Sequence, residues 1–567
     1  MTILPFLAIA FGAAAASLLT RRIAPLSATI GILGLLAAIL AAAAIDADET
    51  LAIGGGELVG SAYLRLFAWL GAVVALLLAL LGLLSSSHRH VPGVLLAGLG
   101  AAGLALALPD ARIAILAATA GGLVGILVTI PLPALASGVV VAARELRALA
   151  VAGVLAILAA AWIGRPLGTL ADDPAVFGLA YLGFAVAVAI RFGAIPFHFW
   201  AARLADAAPE VSLPMLMAWG PAAFAVVALA WADQSVAPLL VPLAVERSLV
   251  VAVGAVSAIL GALAAWIQDD LEHVVGYTII ADAGIAILGL AALDPAAWEP
   301  ARTWILVFVV ARSAFAAWAV AVRVSFGTRR IDELRGWALR APLLAVALVA
   351  IVVASFGYPG LAVWEARSGL IDLTLDGPFA ALVTLGSLGP LAVYARLIAI
   401  GVARPSETVA RAASQRPVWP VRPVGDRAPD AAAERRPTAA RAGRSRRAVG
   451  PSLLDAVPAA LDANRALLAG VLVVALAGLS IAVSAGGFGV SSAAAAAPGR
   501  LPPPIESEPP GSETAPPASL SPPASEPPAT PSPASPGASE PAPSAPAPSG
   551  PAASAGPGLS FAPLPSP

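Results

Sequence analysis

Cysteine and lysine are both absent from the sequence. Without cysteine there are no disulfides, no cysteine-held iron–sulfur clusters and no thiolate zinc sites. Four histidines (His88, His90, His198, His273) leave little for a histidine-rich site, so no metal or cofactor is expected. Without lysine, all 33 basic residues are arginines, and arginine does not give up its proton at any reachable pH. A proton relay here would have to run on carboxylates, histidine and water. Charge of either sign is scarce: 12% of residues are charged and 59% are hydrophobic. A soluble domain carries about twice that charged fraction, because water must solvate its surface. No Gly-rich nucleotide loop follows a strand and no flavin motif occurs, so no redox chemistry is expected of the chain itself.

What is present is a succession of apolar runs, with mean hydropathy +0.88 over the chain. A membrane span needs ~20 such residues to cross a ~30 Å hydrocarbon core. The pattern predicts an all-α polytopic membrane protein with about fourteen spans. They run over 3–19, 27–45, 63–84, 92–108, 112–131, 146–163, 174–194, 211–231, 248–267, 271–293, 302–325, 341–373 (broken by Gly and Pro), 378–401 and 466–487. The first run carries Arg21 and Arg22 behind it rather than ahead, which marks a span and not a cleaved leader.

Charge alternates between the loops. Arginines follow odd-numbered spans (Arg21, Arg22, Arg144, Arg147, Arg329, Arg330, Arg335, Arg340), whereas acids follow even-numbered ones (Asp46 to Glu49, Asp172, Asp173, Asp294 to Glu299). The positive-inside rule then places odd loops in the cytoplasm and both termini outside it, in a multi-pass protein of the cell (inner) membrane. Four regions are expected: a transmembrane bundle over 1–401, a basic cytoplasmic loop over 402–465, a final helix over 466–487, and a tail over 488–567. The loop holds twelve arginines, which read as a topology determinant, with no nucleic-acid partner implied. The tail is rich in Pro, Ser and Ala and has no basic residue after Arg500. Such a composition buries too little apolar surface to fold, and disorder is expected.

Three polar constellations interrupt the spans. The first runs from Arg191-Phe-Gly-Ala-Ile through Pro196-Phe-His198-Phe-Trp200 to Ala208-Pro209-Glu210 and Pro214. It sets a guanidinium inside a span and a helix-breaking Pro after it, and an intramembrane charge is a functional hypothesis by default. The second carries Asp269, Asp270, Glu272 and His273 at a turn and Asp282 about three helical turns into the next span. There a carboxylate can hold a proton or pair with a basic group; Arg191 or Arg367 is the expected partner. The third, Gly357-Tyr-Pro-Gly-Leu-Ala-Val-Trp-Glu365-Ala-Arg367, breaks a helix at membrane depth. Glu365 and Arg367 would sit at that break either as ion-path residues or as a neutral internal ion pair.

In this order, the three segments resemble the antiporter-like membrane subunits of proton-translocating NADH:quinone oxidoreductase (complex I), closest to the subunit N type. That family has an intramembrane Lys ahead of a Pro-Phe-His-x-Trp stretch; here Arg191 precedes Pro196-Phe-His-Phe-Trp200. Its Lys-Arg-x-x-x-Tyr-Ser-x-Ile-Ala-His-x-Gly stretch reads Glu272-His273, Tyr277 and Asp282-Ala-Gly284 here, and its Gly-x-Pro-Pro-x-x-Gly-Phe-x-x-Lys stretch reads Gly357 to Arg367. Arg330-Ile-Asp-Glu-Leu-Arg-Gly336 and Tyr394-Ala-Arg-Leu-Ile398 are also similar to family sequence, and the likeness covers about residues 60–401 with a final span after the basic insertion.

The resemblance implies two inverted five-helix repeats with broken helices at spans seven and twelve. It also implies a half-channel relay built on a Glu–Lys pair, a second Lys, a central His and a terminal Lys or Glu. This chain departs from that relay. The Glu position falls at Thr119 or a neighbouring Ala, with Glu145 the nearest carboxylate, at the head of span six. Arg147 stands for another family Lys, the second Lys falls at Gly220 or Pro221, Asp282 stands for the His, and Arg191 and Arg367 stand for lysines. The proton-path candidates are therefore Arg191, Asp282, Arg367, Glu365, His198, Glu145 and Arg147.

The implied function is that of a membrane subunit of a complex I-like oxidoreductase, without redox centres of its own. Its partners would be other membrane subunits of a respiratory-type complex and the lipid bilayer. A subunit of a multi-subunit cation/proton antiporter or membrane-bound hydrogenase fits the same pattern. So does a degenerate paralogue that fills the structural position without pumping.

Overall fold

The computed structural model describes residues 1–54, 56–85, 90–129, 136–163, 174–235, 243–404 and 464–496. Most of the predicted basic loop and tail lies outside these residues. The chain begins with α1 (Leu4–Leu19) and α2 (Ala24–Ala43), then a short hairpin of β1 (Thr50–Ile53) and β2 (Gly56–Val59). It continues through α3 (Ala62–Leu84), α4 (Val91–Ala107), α5 (Ala111–Thr129), α6 (Ala136–Ile163) and α7 (Pro174–Phe192). Next come a one-turn helix α8 (Ala201–Leu204), a π-helical turn over Met215–Trp219, α9 (Gly220–Ser235), α10 (Ala244–Ile267), α11 (Leu271–Ala292) and α12 (Trp298–Phe326). The remainder comprises α13 (Trp337–Arg340), α14 (Pro342–Phe356), α15 (Ala362–Thr374), α16 (Gly377–Ser387), α17 (Pro390–Val402), α18 (Arg465–Ser484) and α19 (Val490–Ala495).

Eleven helical stretches among the described residues are long and apolar enough to cross a membrane, and α1, α4 and α14 are shorter apolar helices beside them. Length and apolarity thus qualify eleven helical stretches as spans, and the expected fourteen are not reached by that measure. The chain is a multi-pass, all-α membrane protein, with one hairpin that its apolar pattern did not announce (Thr50 pairs with Val59, Leu51 with Leu58).

Three boundaries differ from expectation. Helix α6 starts ten residues before the predicted span, because Arg144, Glu145, Leu146 and Arg147 are good helix formers with no breaker among them. Glu145 thus lies well inside a helix and not at its head. The span predicted over 378–401 is two helices, since Pro390 offers no N–H to continue the first. The tail predicted from 488 begins inside folded chain: α19 buries Val490 and Ala494, and an Ala-rich run is an adequate helix former.

Helices α11 and α12 form the centre, buried on nearly every face, as expected where helices are apolar all round. Helix α10 approaches α11 closely through glycine. A Cβ on Gly254 would lie 2.8 Å from the Gly284 carbonyl oxygen, and one on Gly261 would lie 2.8 Å from the Ala281 nitrogen. Without a hydrophobic drive between helices in lipid, such small-residue contacts supply much of the packing.

The loops that follow α10 and α12 meet at one end of the bundle. Asp270 bridges Arg330 through backbone, Ile331 N–H donates to the Asp269 carbonyl, and Arg396 donates to the Trp266 and Gln268 carbonyls and to Asp269. At the opposite end Asp46 N–H donates to the Met1 carbonyl.

Candidate functional site

The first break follows Arg191. Helix α7 ends in Gly193 at φ +63°, where a Cβ would meet that of Ala201 at 2.6 Å. The freed backbone is then satisfied one group at a time. Trp200 Nε1 donates to the Ile190 carbonyl at 3.0 Å, Ala194 N–H to that of Ala189, and Ile195 N–H to Ser257 Oγ. Ile195–Pro196 is a cis peptide. Arg191 is thereby fixed in the last turn of α7 with its guanidinium inside the bundle, 5% exposed.

That guanidinium lies between two glycines. A Cβ on Gly122 of α5 would stand 2.6 Å from Arg191 Nη2, and one on Gly220 of α9 would stand 3.3 Å from it. Gly220 is one of the two positions, with Pro221, at which the resemblance put a second lysine, and neither is a cation. Opposite is Glu145 of α6, fully buried, with neither carboxylate oxygen hydrogen-bonded and the Arg191 Nε also without a partner. Both side chains line one cavity of about 40 Å³. Its walls include Gly121, Gly125, Thr129 and Ser212. A buried water needs ~10–15 Å³ and polar partners, and both are available here. Two helical positions on from Glu145, Arg147 is exposed on the other face of α6, outside this cavity.

The second break is organised differently. Gly357 (φ +62°) ends α14, and α15 begins at Ala362. Arg367, 2% exposed, reaches back to donate to the Phe356 carbonyl at 3.0 Å and lies over the Trp364 ring. Glu365 is exposed and accepts from Gly360 N–H at 2.9 Å. The two therefore do not form the internal ion pair weighed from sequence. Each satisfies a backbone group that the break frees, which is what unwound backbone at membrane depth requires.

Asp282 is buried as expected, but its partner is neither Arg191 nor Arg367. Arg312 of α12 holds it through Nε to Oδ2 (2.5 Å) and Nη2 to Oδ1 (3.0 Å), and donates Nη1 to Tyr394 Oη of α17 (2.5 Å). Arg367 is held instead by the Phe356 carbonyl. The geometry explains the correction: α11 and α12 are adjacent antiparallel helices, and Arg312 faces Asp282 directly. Sequence reasoning passed over Arg312, although a lone charge inside the apolar stretch Thr303 to Val322 was a usable signal.

A third group closes the end where the loops after α10 and α12 meet. Arg323 pairs with Glu210 and lies 3.8 Å from Glu272; Arg329 pairs with Glu272 (2.7 Å) and Asp270 (2.7 Å). Partial burial works against the Arg329 charge, but the Glu272 and Asp270 carboxylates outweigh it and hold the guanidinium above its ordinary value. His273 Nε2 stands 3.6 Å from Asp206. His198 is half-buried at the first break, its ring tilted against that of Phe199 and its Nδ1 unpartnered, and belongs to neither arginine site. Among the described residues no cluster of His, Asp and Glu suits a metal ion.

The family model described as NADH:quinone oxidoreductase/Mrp antiporter, TM matches residues 169–391, which hold both breaks, Arg191, Asp282 and Arg312. The likeness to that family is carried by these residues. Curated relatives include NADH-quinone oxidoreductase subunit N of Paraburkholderia phymatum, 24% identical over 244 residues (41% of this chain, 48% of the relative). Subunit N 2 of Solidesulfovibrio magneticus is 30% identical over 255 residues (44% and 52%). The chain spans about half the length of these relatives. Among solved structures, a chain of Thermus thermophilus respiratory complex I with bound aureothin aligns at TM-score 0.61 and 20% identity, over 87% of this chain and all of that one. A chain of the Mrp complex from Dietzia sp. aligns at 0.65 and 19%, over 87% and 52%. At these identities the structures show that the fold is the antiporter-like one. Glu145 lies outside the matched segment, on α6 rather than on α5 where the resemblance put the acid.

Proposed function

We propose that this chain is a proton-conducting membrane subunit of a respiratory-type, complex I-like assembly in the cell membrane, with its redox centres on other subunits. The observation that carries this reading is the pairing of Glu145 and Arg191 across a shared, water-sized cavity beside the first broken helix. A carboxylate with no fixed hydrogen bonds can take and release a proton through water. The guanidinium opposite it cannot release one, but it holds positive potential that draws water and stabilises the carboxylate. Glu145 and Arg191 thus do together what a Glu–Lys pair does in the implied relay, with the acid moved from α5 to α6.

The Mrp neighbour supports a second reading, a subunit of a multi-subunit cation/proton antiporter. The guanidinium in the same cavity repels a metal cation, which favours protons as the ion moved here. The test is isolation of the tagged full-length chain from native membranes in mild detergent. Co-migration with other membrane subunits and a quinone-reducing activity is the expected result. A chain that migrates alone, or with subunits driving sodium exchange only, overturns the reading.

A further inference from the structure

We propose that Arg312 is a positioning residue that withdraws Asp282 from proton transfer, so that protons carried by this chain pass the Glu145–Arg191 cavity in its first half. The inference rests on the conducting role proposed above for its consequence, but not for the pairing itself.

Three features support it. The first is saturation. Both Asp282 oxygens are taken by two nitrogens of one fully buried guanidinium, and the third nitrogen is held by Tyr394 Oη. Such a fork-to-fork pair is among the strongest hydrogen-bonded arrangements in proteins. Protonation would remove the charge that this fork holds, whereas Glu145 has no fixed hydrogen bonds to weaken.

The second is aromatic packing around the cation's side of the pair, where Arg312 is fully buried and the Asp282 side chain keeps about 10% exposure. Phe315 and Phe356 meet the Tyr394 ring edge-on (4.9 and 5.9 Å between centroids), and Trp304 Nε1 caps the Asp282 carbonyl at 3.1 Å. The walls of the Glu145–Arg191 cavity include neither Asp282 nor Arg312.

The third is the link between the two halves. Trp219, next in sequence to the Gly220 that touches Arg191, donates its Nε1 proton to Ser313 Oγ at 3.0 Å, and Ser313 follows Arg312. An indole N–H donates but has no lone pair with which to accept. This hydrogen bond between Trp219 and α12 therefore cannot relay a proton from the first site to the second. The second half keeps the fold's broken helix and central charge, yet its charges form a static pair.

Infrared difference spectroscopy of the full-length chain in liposomes tests this, reading the stretch of protonated carboxyl groups at neutral pH. Wild type minus Asp282→Asn should show no protonated-carboxyl band. Arg312→Gln should create one band that the added Asp282→Asn removes. If Arg312→Gln does not fold, the first comparison decides alone. A protonated Asp282 band in wild type overturns the proposal. Absence of proton movement in the assembled complex overturns the conducting reading instead, so the two failures are distinguishable.

Discussion

Removing Arg312 should cost far more than removing the pair. In Arg312→Met, the apolar stem is retained while the Asp282 carboxylate and the Tyr394 hydroxyl both lose their Arg312 partner in a buried site. Breaking a buried ion pair from one side costs about 3–5 kcal/mol, while replacing both members is often close to neutral. Asp282→Asn strands the cation from the other side. The two single variants should therefore sum to about 6 kcal/mol or more, and the double variant should lose much less than that sum. The coupling energy should be about 3 kcal/mol, roughly a hundredfold in the unfolding equilibrium. The assay is equilibrium unfolding in mixed micelles, followed by tryptophan fluorescence, with all four members of the cycle. Independent sites add to within about 0.5 kcal/mol. Additivity at that level would refute the claim that Arg312 and Asp282 form one unit.

Further predictions follow the same geometry. Gly122→Ala should leave the fold intact but push the Arg191 guanidinium away from α5, since the new Cβ would stand 2.6 Å from Nη2; unchanged proton flux together with an unchanged Arg191 position in a structure of the variant would contradict this. Arg367→Met should destabilise the second break by about 1–3 kcal/mol, the cost of a buried carbonyl left unpaired, whereas Glu365→Gln, which keeps an acceptor for Gly360 N–H, should cost little; equal losses in thermal unfolding would count against the capping roles. Protease added to right-side-out vesicles should trim residues 498–567 and spare 402–465, and cleavage in the basic loop would reverse the topology.

The apolar runs and the breaks were legible because their causes are local. Twenty apolar residues announce a span wherever they fall, and Gly193, Pro196, Gly357 and Pro359 end helices by their own backbone limits. The meeting of the loops after α10 and α12 fits the parity of the spans. Pairing was not legible, because it depends on which faces of α10, α11 and α12 meet. Asp282 was identified as a buried acid in need of a cation, yet its cation lies 30 residues on, in a span read as plain apolar core. Arg367 and Glu365 sat where expected, but two residues apart on one helix they point to different faces and serve different backbone groups. Glu145 was placed at a helix head only because the start of α6 was misjudged. Its burial depends on that helix continuing back to Ala136 and on glycines of α5 that leave the cavity open.

The central claim is that Glu145 carries the proton and Arg191 holds the field for it. It is tested most directly by substrate-driven acidification of proteoliposomes containing the whole complex, comparing wild type with Glu145→Gln at equal electron-transfer load. Loss of the acidification contributed by this subunit, with the complex still assembled, is the predicted result. Full acidification with Glu145→Gln would contradict the account and leave the chain a structural member of its complex.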